Sequence, residues 1–184
     1  TTKKQLSLTL LLLNGWQHIA LIPQQTIPAF GTNIHWKTAE KWNISWSTFI
    51  GSEFPDSERK MRYFNNLFAQ YSSQKWNAII GLDFGFQQQA KNSSSYNLWF
   101  VPTLIGQYCL NDKWRTALRL EYFQDKGNVI LPSTIPSLFS TSWNWDYQPF
   151  DVLTFRIETR YFHGLIDSNN TNPNRLTVLG SVAF

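Results

Sequence analysis

The chain has 184 residues, 16% of them aromatic with nine tryptophans, and a formal net charge of +4. That length suits one ordinary domain, but a soluble core so rich in aromatics would bring more aliphatic residues with it, and here polar and aromatic residues share the same segments. The charge is mild and without a Lys/Arg-rich run, and basic and aromatic residues alternate instead of clustering in one groove; both facts argue against nucleic-acid binding.

No stretch approaches the roughly 18–20 apolar residues that a membrane helix requires; the longest is the leucine cluster from Leu10 to Leu13. Thr1-Thr2-Lys3-Lys4 leads straight into Leu6-Ser7-Leu8-Thr9-Leu10 with no signal-peptide pattern, as expected of a mature chain or a fragment. From there the main signal is alternation with a period of two, the period of a β-strand. A first strand is expected near 5–13, followed by a long polar loop near 14–28. Phe30, Thr32, Ile34 and Trp36 then oppose Gly31, Asn33, His35 and Lys37. After a short turn at 37–41, Trp42, Ile44, Trp46, Thr48 and Ile50 oppose Asn43, Ser45, Ser47, Phe49 and Gly51. A loop at 51–59 and a weaker strand at 61–72 lead to a short turn at 72–75. The clearest strand follows: Trp76, Ala78, Ile80, Leu82, Phe84 and Phe86 on one face, Asn77, Ile79, Gly81, Asp83, Gly85 and Gln87 on the other.

Beyond a loop at 88–95, a strand near 96–110 and a short turn at 111–113, Trp114, Thr116, Leu118, Leu120 and Tyr122 oppose Arg115, Ala117, Arg119, Glu121 and Phe123. A loop at 124–137 precedes Phe139, Thr141, Trp143, Trp145 and Tyr147, which oppose Ser140, Ser142, Asn144 and Asp146. A short turn at 148–151 precedes Leu153, Phe155, Ile157, Thr159 and Tyr161, which oppose Thr154, Arg156, Glu158 and Arg160. A loop at 163–174 and a last strand at 175–184 complete about ten strands. Short turns alternate with long loops, the asymmetry of outer-membrane barrels. Three strands open with the same pair, Lys41-Trp42, Lys75-Trp76 and Lys113-Trp114. A repeat of hairpin length predicts an up-and-down barrel whose Trp42, Trp76 and Trp114 lie at one level in an aromatic girdle.

The expected fold is therefore all-β, a transmembrane antiparallel up-and-down β-barrel, with residues 1–184 as a single barrel domain of about ten strands or the C-terminal part of a longer barrel. Arg115, Arg119, Glu121, Arg156, Glu158 and Arg160 all fall opposite the aromatics. An arginine on the lipid face near mid-membrane costs about 2–4 kcal/mol, so these six are assigned to a wet lumen. There they either set ion preference or pair across strands to fill the wall. An alternating last strand with terminal Phe184 has the pattern of a C-terminal assembly signal.

Other chemistry is sparse. Cys109 is the only cysteine, which excludes an intrachain disulfide. His18, His35 and His163 show no metal-ligand spacing and are expected to be solvated. Asp125, His163 and Asp167 near predicted strand ends are the only candidates for a hydrolase site at the barrel rim. No phosphate-binding or dinucleotide motif is present, and no cofactor or metal is expected.

Asn14-Gly15-Trp16-Gln17, Pro28-Ala29-Phe30-Gly31, Met61-Arg62-Tyr63-Phe64-Asn65-Asn66, the run from Ala117 to Gly127, and Arg156-Ile157-Glu158-Thr159-Arg160-Tyr161-Phe162 resemble the β-barrel porin-2 (OmpL-like) family, found especially in Bacteroidota. The resemblance spans essentially the whole chain and matches the C-terminal half of longer members. It implies a bacterial outer-membrane barrel, a porin-like role without catalytic residues, and a larger barrel than ten strands. The expected function is passive diffusion of small hydrophilic solutes or ions. The alternatives are a non-conducting scaffold in an envelope complex and the rim hydrolase. Expected partners are outer-membrane lipid, the outer-membrane assembly machinery through the C-terminal strand and, for a scaffold, other envelope proteins.

Overall fold

A computed structural model describes residues 5–16, 18–38, 41–131, 136–165 and 174–183. Phe184, Asp167 and the turn residues Ala39 and Glu40 lie outside the described residues. The strands are β1 (Gln5–Leu13), β2 (Ala29–Thr38), β3 (Trp42–Ser52), β4 (Met61–Ser72), β5 (Trp76–Gln88), β6 (Tyr96–Cys109), β7 (Trp114–Asp125), β8 (Ser137–Phe150), β9 (Leu153–Leu165) and β10 (Arg175–Ala183). One turn of 3-10 helix at Asp56–Glu58 sits in the β3–β4 connection. No helix among the described residues is long and apolar enough to cross a membrane.

The strands form one sheet in strict chain order, every neighbouring pair antiparallel. Such a meander follows from the connections. Short turns can only return the chain beside itself, and they join β2 to β3, β4 to β5, β6 to β7 and β8 to β9 at one end of the sheet. The longer connections all lie at the other end. β8 runs further than the sequence suggests. It continues through Pro149 to Phe150, with an irregular register between Tyr147 and Phe150, so the turn contracts to Asp151 and Val152. The strand is kept going by a bond to the neighbouring turn: Gln148 N donates to the Lys113 carbonyl at 2.8 Å.

Apart from the irregularity after Tyr147, the register carries alternation from strand to strand without a slip. Leu10, Thr32, Thr48, Asn65 and Phe84 share one face at neighbouring rungs. Leu104, Leu120, Thr141 and Tyr161 continue that same face on β6–β9. Ile80, Leu82 and Phe84 belong to it and Asp83 to the other, where Asn66 Nδ2 donates to Asp83 Oδ1 at 2.5 Å. Every charged residue within the ten strands lies on that second face, from Lys37 and Arg62 to Arg175. The apolar face is bare: Leu6, Leu8, Leu10 and Leu12 are 64–75% exposed. Among the described residues the buried apolar side chains are only Ala29, Phe49 and Trp99. A soluble domain of this size hides its large apolar side chains in a core; here they form an outer surface.

Candidate functional site: the polar face of the sheet

The polar face is a continuous wall of hydrogen-bonded side chains. Asn33 Nδ2 donates to Ser47 Oγ at 2.7 Å, and Asn77 Nδ2 to Gln107 Oε1 at 2.9 Å. Two regions of it concentrate charge.

On β7–β9 the charges fall into tiers fixed by register. Arg115, Asp146 and Arg156 stand opposite one another on three successive strands. Asp146 is buried and accepts from both Arg156 Nε at 2.6 Å and Arg156 Nη2 at 2.7 Å, with Asn144 Nδ2 adding a third bond at 2.9 Å. Two rungs along, Arg119 and Arg160 flank Ser142. Both guanidinium groups reach the same oxygen, Oε2 of Glu121, Arg160 at 3.3 Å. Arg160 also donates to Ser140 Oγ at 3.2 Å and lies 4.8 Å from the Phe162 ring centre. Glu158, between the tiers, makes no ion pair within 4 Å among the described residues. The carboxylates that engage arginine here are thus Glu121 and Asp146.

The second region lies at the long-connection end of β3–β7. Trp16, from the β1–β2 connection, folds onto the polar face. Its ring meets Phe49 edge-on at 5.1 Å and Phe64 at 4.4 Å. Phe64 in turn stacks parallel to Trp99 at 6.4 Å. Arg62 is buried beside both indoles, its Cζ 5.6 Å from the Trp16 ring and 5.8 Å from that of Trp99. Cation–π attraction strengthens when the cation is withdrawn from water. Its Nε donates to Gln87 Oε1 at 2.9 Å, and Glu53 and Asp125 supply nearby negative charge. Glu53 also holds the connection, accepting from Trp16 N at 2.6 Å and standing 3.2 Å from His18 Nε2. His18 is therefore paired, not simply solvated.

Asp125 proves to be a structural cap. It is 1% exposed, and its carboxylate accepts backbone N–H groups from Val129 at 2.9 Å, Ile130 at 2.8 Å and Leu131 at 3.2 Å. His163 sits on the apolar face opposite Phe139, whereas Asp125 is on the polar face, so the sheet separates these two rim-hydrolase candidates. Among the described residues no cluster of His, Cys, Asp or Glu has the makings of a metal site.

At the short-turn end, Trp42, Trp76 and Trp114 each open a strand on the apolar face, 41–56% exposed. Each lies opposite a tyrosine of the next strand: Trp42 with Tyr71 at 5.1 Å, Trp76 with Tyr108 and Trp114 with Tyr147 at 4.6 Å. The sequence reading found these tryptophans through the Lys-Trp repeat but missed Trp16, Arg62, Trp99 and Asp146. Asp146 was visible as the only acid facing the arginines from β8; Trp16 lies in a loop and left no periodic signal.

A family model described as "Putative beta-barrel porin-2, OmpL-like" matches residues 1–184. No curated protein and no solved structure matches the chain. The ten-stranded up-and-down meander is the wall of an antiparallel transmembrane β-barrel.

Proposed function

This chain belongs to the beta-barrel porin-2, OmpL-like family, and from that premise we propose that it is an outer-membrane pore for passive diffusion of small hydrophilic solutes or ions. One observation carries the reading: every charged strand residue lies on one face and the bare leucines and aromatics on the other. Lipid accepts the second face and rejects the first, since a mid-membrane arginine on the lipid side costs about 2–4 kcal/mol. The polar face then lines water, with Arg115, Arg119, Arg156 and Arg160 in the passage and Glu121, Glu158 and Asp146 tempering their preference for anions. Trp42, Trp76 and Trp114 sit at the periplasmic interface, where amphipathic rings favour headgroups. We read the ten strands as one barrel domain, or part of a larger one, made without cofactor or catalytic residues. Its partners are outer-membrane lipid and, through the C-terminal strand, the assembly machinery.

The test is reconstitution of the full-length protein in planar bilayers under a salt gradient. Discrete conductance steps with a reversal potential on the anion side are expected. Replacing the four arginines with glutamine should move that potential toward zero. Absence of conductance from folded protein would sink the pore and favour a non-conducting scaffold in an envelope complex.

A further inference from the structure

The two arginine tiers differ in one residue. At the tier of Arg115 and Arg156, β8 supplies a carboxylate, Asp146, which accepts from both Nε and Nη2 of Arg156. At the tier of Arg119 and Arg160, β8 supplies Ser142, buried and uncharged. The nearest acid, Glu121, must serve both guanidinium groups with a single oxygen. Each guanidinium carries five N–H donors, and the Nε of both Arg119 and Arg160 is buried without a hydrogen-bond partner among the described residues. An unpaired buried donor is destabilising, more so on a charged group. Two cations share one counter-charge while both side chains stay part-exposed, 39% for Arg119 and 25% for Arg160, so this tier presents excess positive charge to solute, and the bidentate Arg156–Asp146 contact shows how a carboxylate engages such a guanidinium.

We propose that Arg119 and Arg160, above Ser142, form a binding subsite for the oxyanion group of a solute, a carboxylate or a phosphate. The subsite rests on the pore proposed above, because solute reaches it only if the polar face lines water. Carboxylate and phosphate each present two oxygens that match the guanidinium fork bidentately, whereas chloride does not. The stacking of Arg160 against Phe162 holds one fork in place. The pair would thus select among anions, beyond a general attraction for them.

The probe is inorganic phosphate, titrated against the full-length protein folded in neutral detergent at constant ionic strength set with chloride. Saturable binding is expected. Arg119→Gln with Arg160→Gln should weaken it about tenfold or more, as loss of charge-assisted bonds predicts. Ser142→Asp installs the acid that this tier lacks. It should weaken phosphate binding as strongly while leaving the arginines in place, so a folding defect of the double variant would not blur the result. Lys91→Gln, in the β5–β6 connection, removes one positive charge elsewhere and should change binding less than twofold. Unchanged binding in Ser142→Asp, or no saturable binding in the parent, overturns the subsite. Competition by added anionic lipid would assign the site to headgroups instead of solutes and overturn it too. Conductance is scored separately. A conducting protein that ignores phosphate loses the subsite alone, and a phosphate-binding protein that never conducts keeps the subsite and loses the pore.

Discussion

Gly85→Ala should destabilise this protein through one ring. Gly85 lies on the polar face of β5, directly beneath Trp99 of β6. A methyl group at that position would overlap the indole: it would stand 2.6 Å from Trp99 Cη2 and equally close to the Tyr63 carbonyl oxygen. The indole must move, and the Tyr63 carbonyl can be relieved only by a shift of the β4–β5 backbone. The indole is 2% exposed, with Phe64 stacked parallel and Arg62 5.8 Å away. Moving it therefore disturbs Arg62, and through Arg62 the Trp16 anchor. Overpacking of this kind costs about 1–3 kcal/mol, and the tight surroundings place Gly85→Ala in the upper part of that range. The same change at Gly106 or Gly180, both on the apolar face, meets nothing within 4 Å. There alanine should be neutral or stabilise by up to about 1 kcal/mol, because it restricts the unfolded chain. Urea unfolding of the full-length protein in lipid vesicles, followed by tryptophan fluorescence, measures all three. If Gly85→Ala unfolds at the same urea concentration as Gly106→Ala, the aromatic pile is not rigid and the reasoning fails.

Leu82→Arg, on the apolar face of β5, should cost about 2–4 kcal/mol of folding free energy in bilayers. Gly81→Arg, one residue away on the polar face with only Thr103 Cβ at 3.8 Å, should cost distinctly less, and equal costs in the same titration would reverse the wall assignment. The Thr26 hydroxyl and then Arg59 hold the Asp56 carboxyl below its ordinary 3.8. Because the folded value is the lower one, the contribution of Asp56 is fully present above pH 3.8 and is lost as pH falls through the depressed value. Hydrogen exchange of the connections around Thr26 and Asp56, corrected for intrinsic rates, should be flat from pH 5 to 8 in order-of-magnitude terms and rise in acid. Asp56→Asn should show the raised level throughout, and an acid rise that persists in Asp56→Asn would assign the step to another group.

Strands and faces were legible because the signal is local. Alternation from Trp76 to Gln87 needs no knowledge of partners, and antiparallel pairing in chain order follows from the turn lengths. Placing Arg115, Arg119, Arg156 and Arg160 on one face followed from the same parity. Who pairs with whom did not. Arg156 meets Asp146 only because of the β8–β9 register, set by the irregular turn after Tyr147. Asp125 looked like a rim acid because nothing in the sequence says that the chain from Val129 to Leu131 bends back onto its carboxylate. Trp16 was hidden for a related reason: a side chain in a loop has no period, and its seat is built by Phe49, Phe64 and Arg62 from two other strands.

The tryptophan–tyrosine pairs have a consequence for how such a wall can vary in size. Trp42 with Tyr71, Trp76 with Tyr108 and Trp114 with Tyr147 each join the two strands that meet at a long connection, and each pair sits at that unit's short-turn end. Each of these three units therefore carries its own aromatic pair on the apolar face at its short-turn end. Adding or deleting one whole unit would change the circumference by two strands without displacing the anchors of the rest. Removing any single strand from β3 to β8 would separate a tryptophan from its tyrosine and reverse the direction of every strand beyond it. The wall is thus quantised in steps of two strands, and gain or loss of hairpins is the mutation its anchoring tolerates.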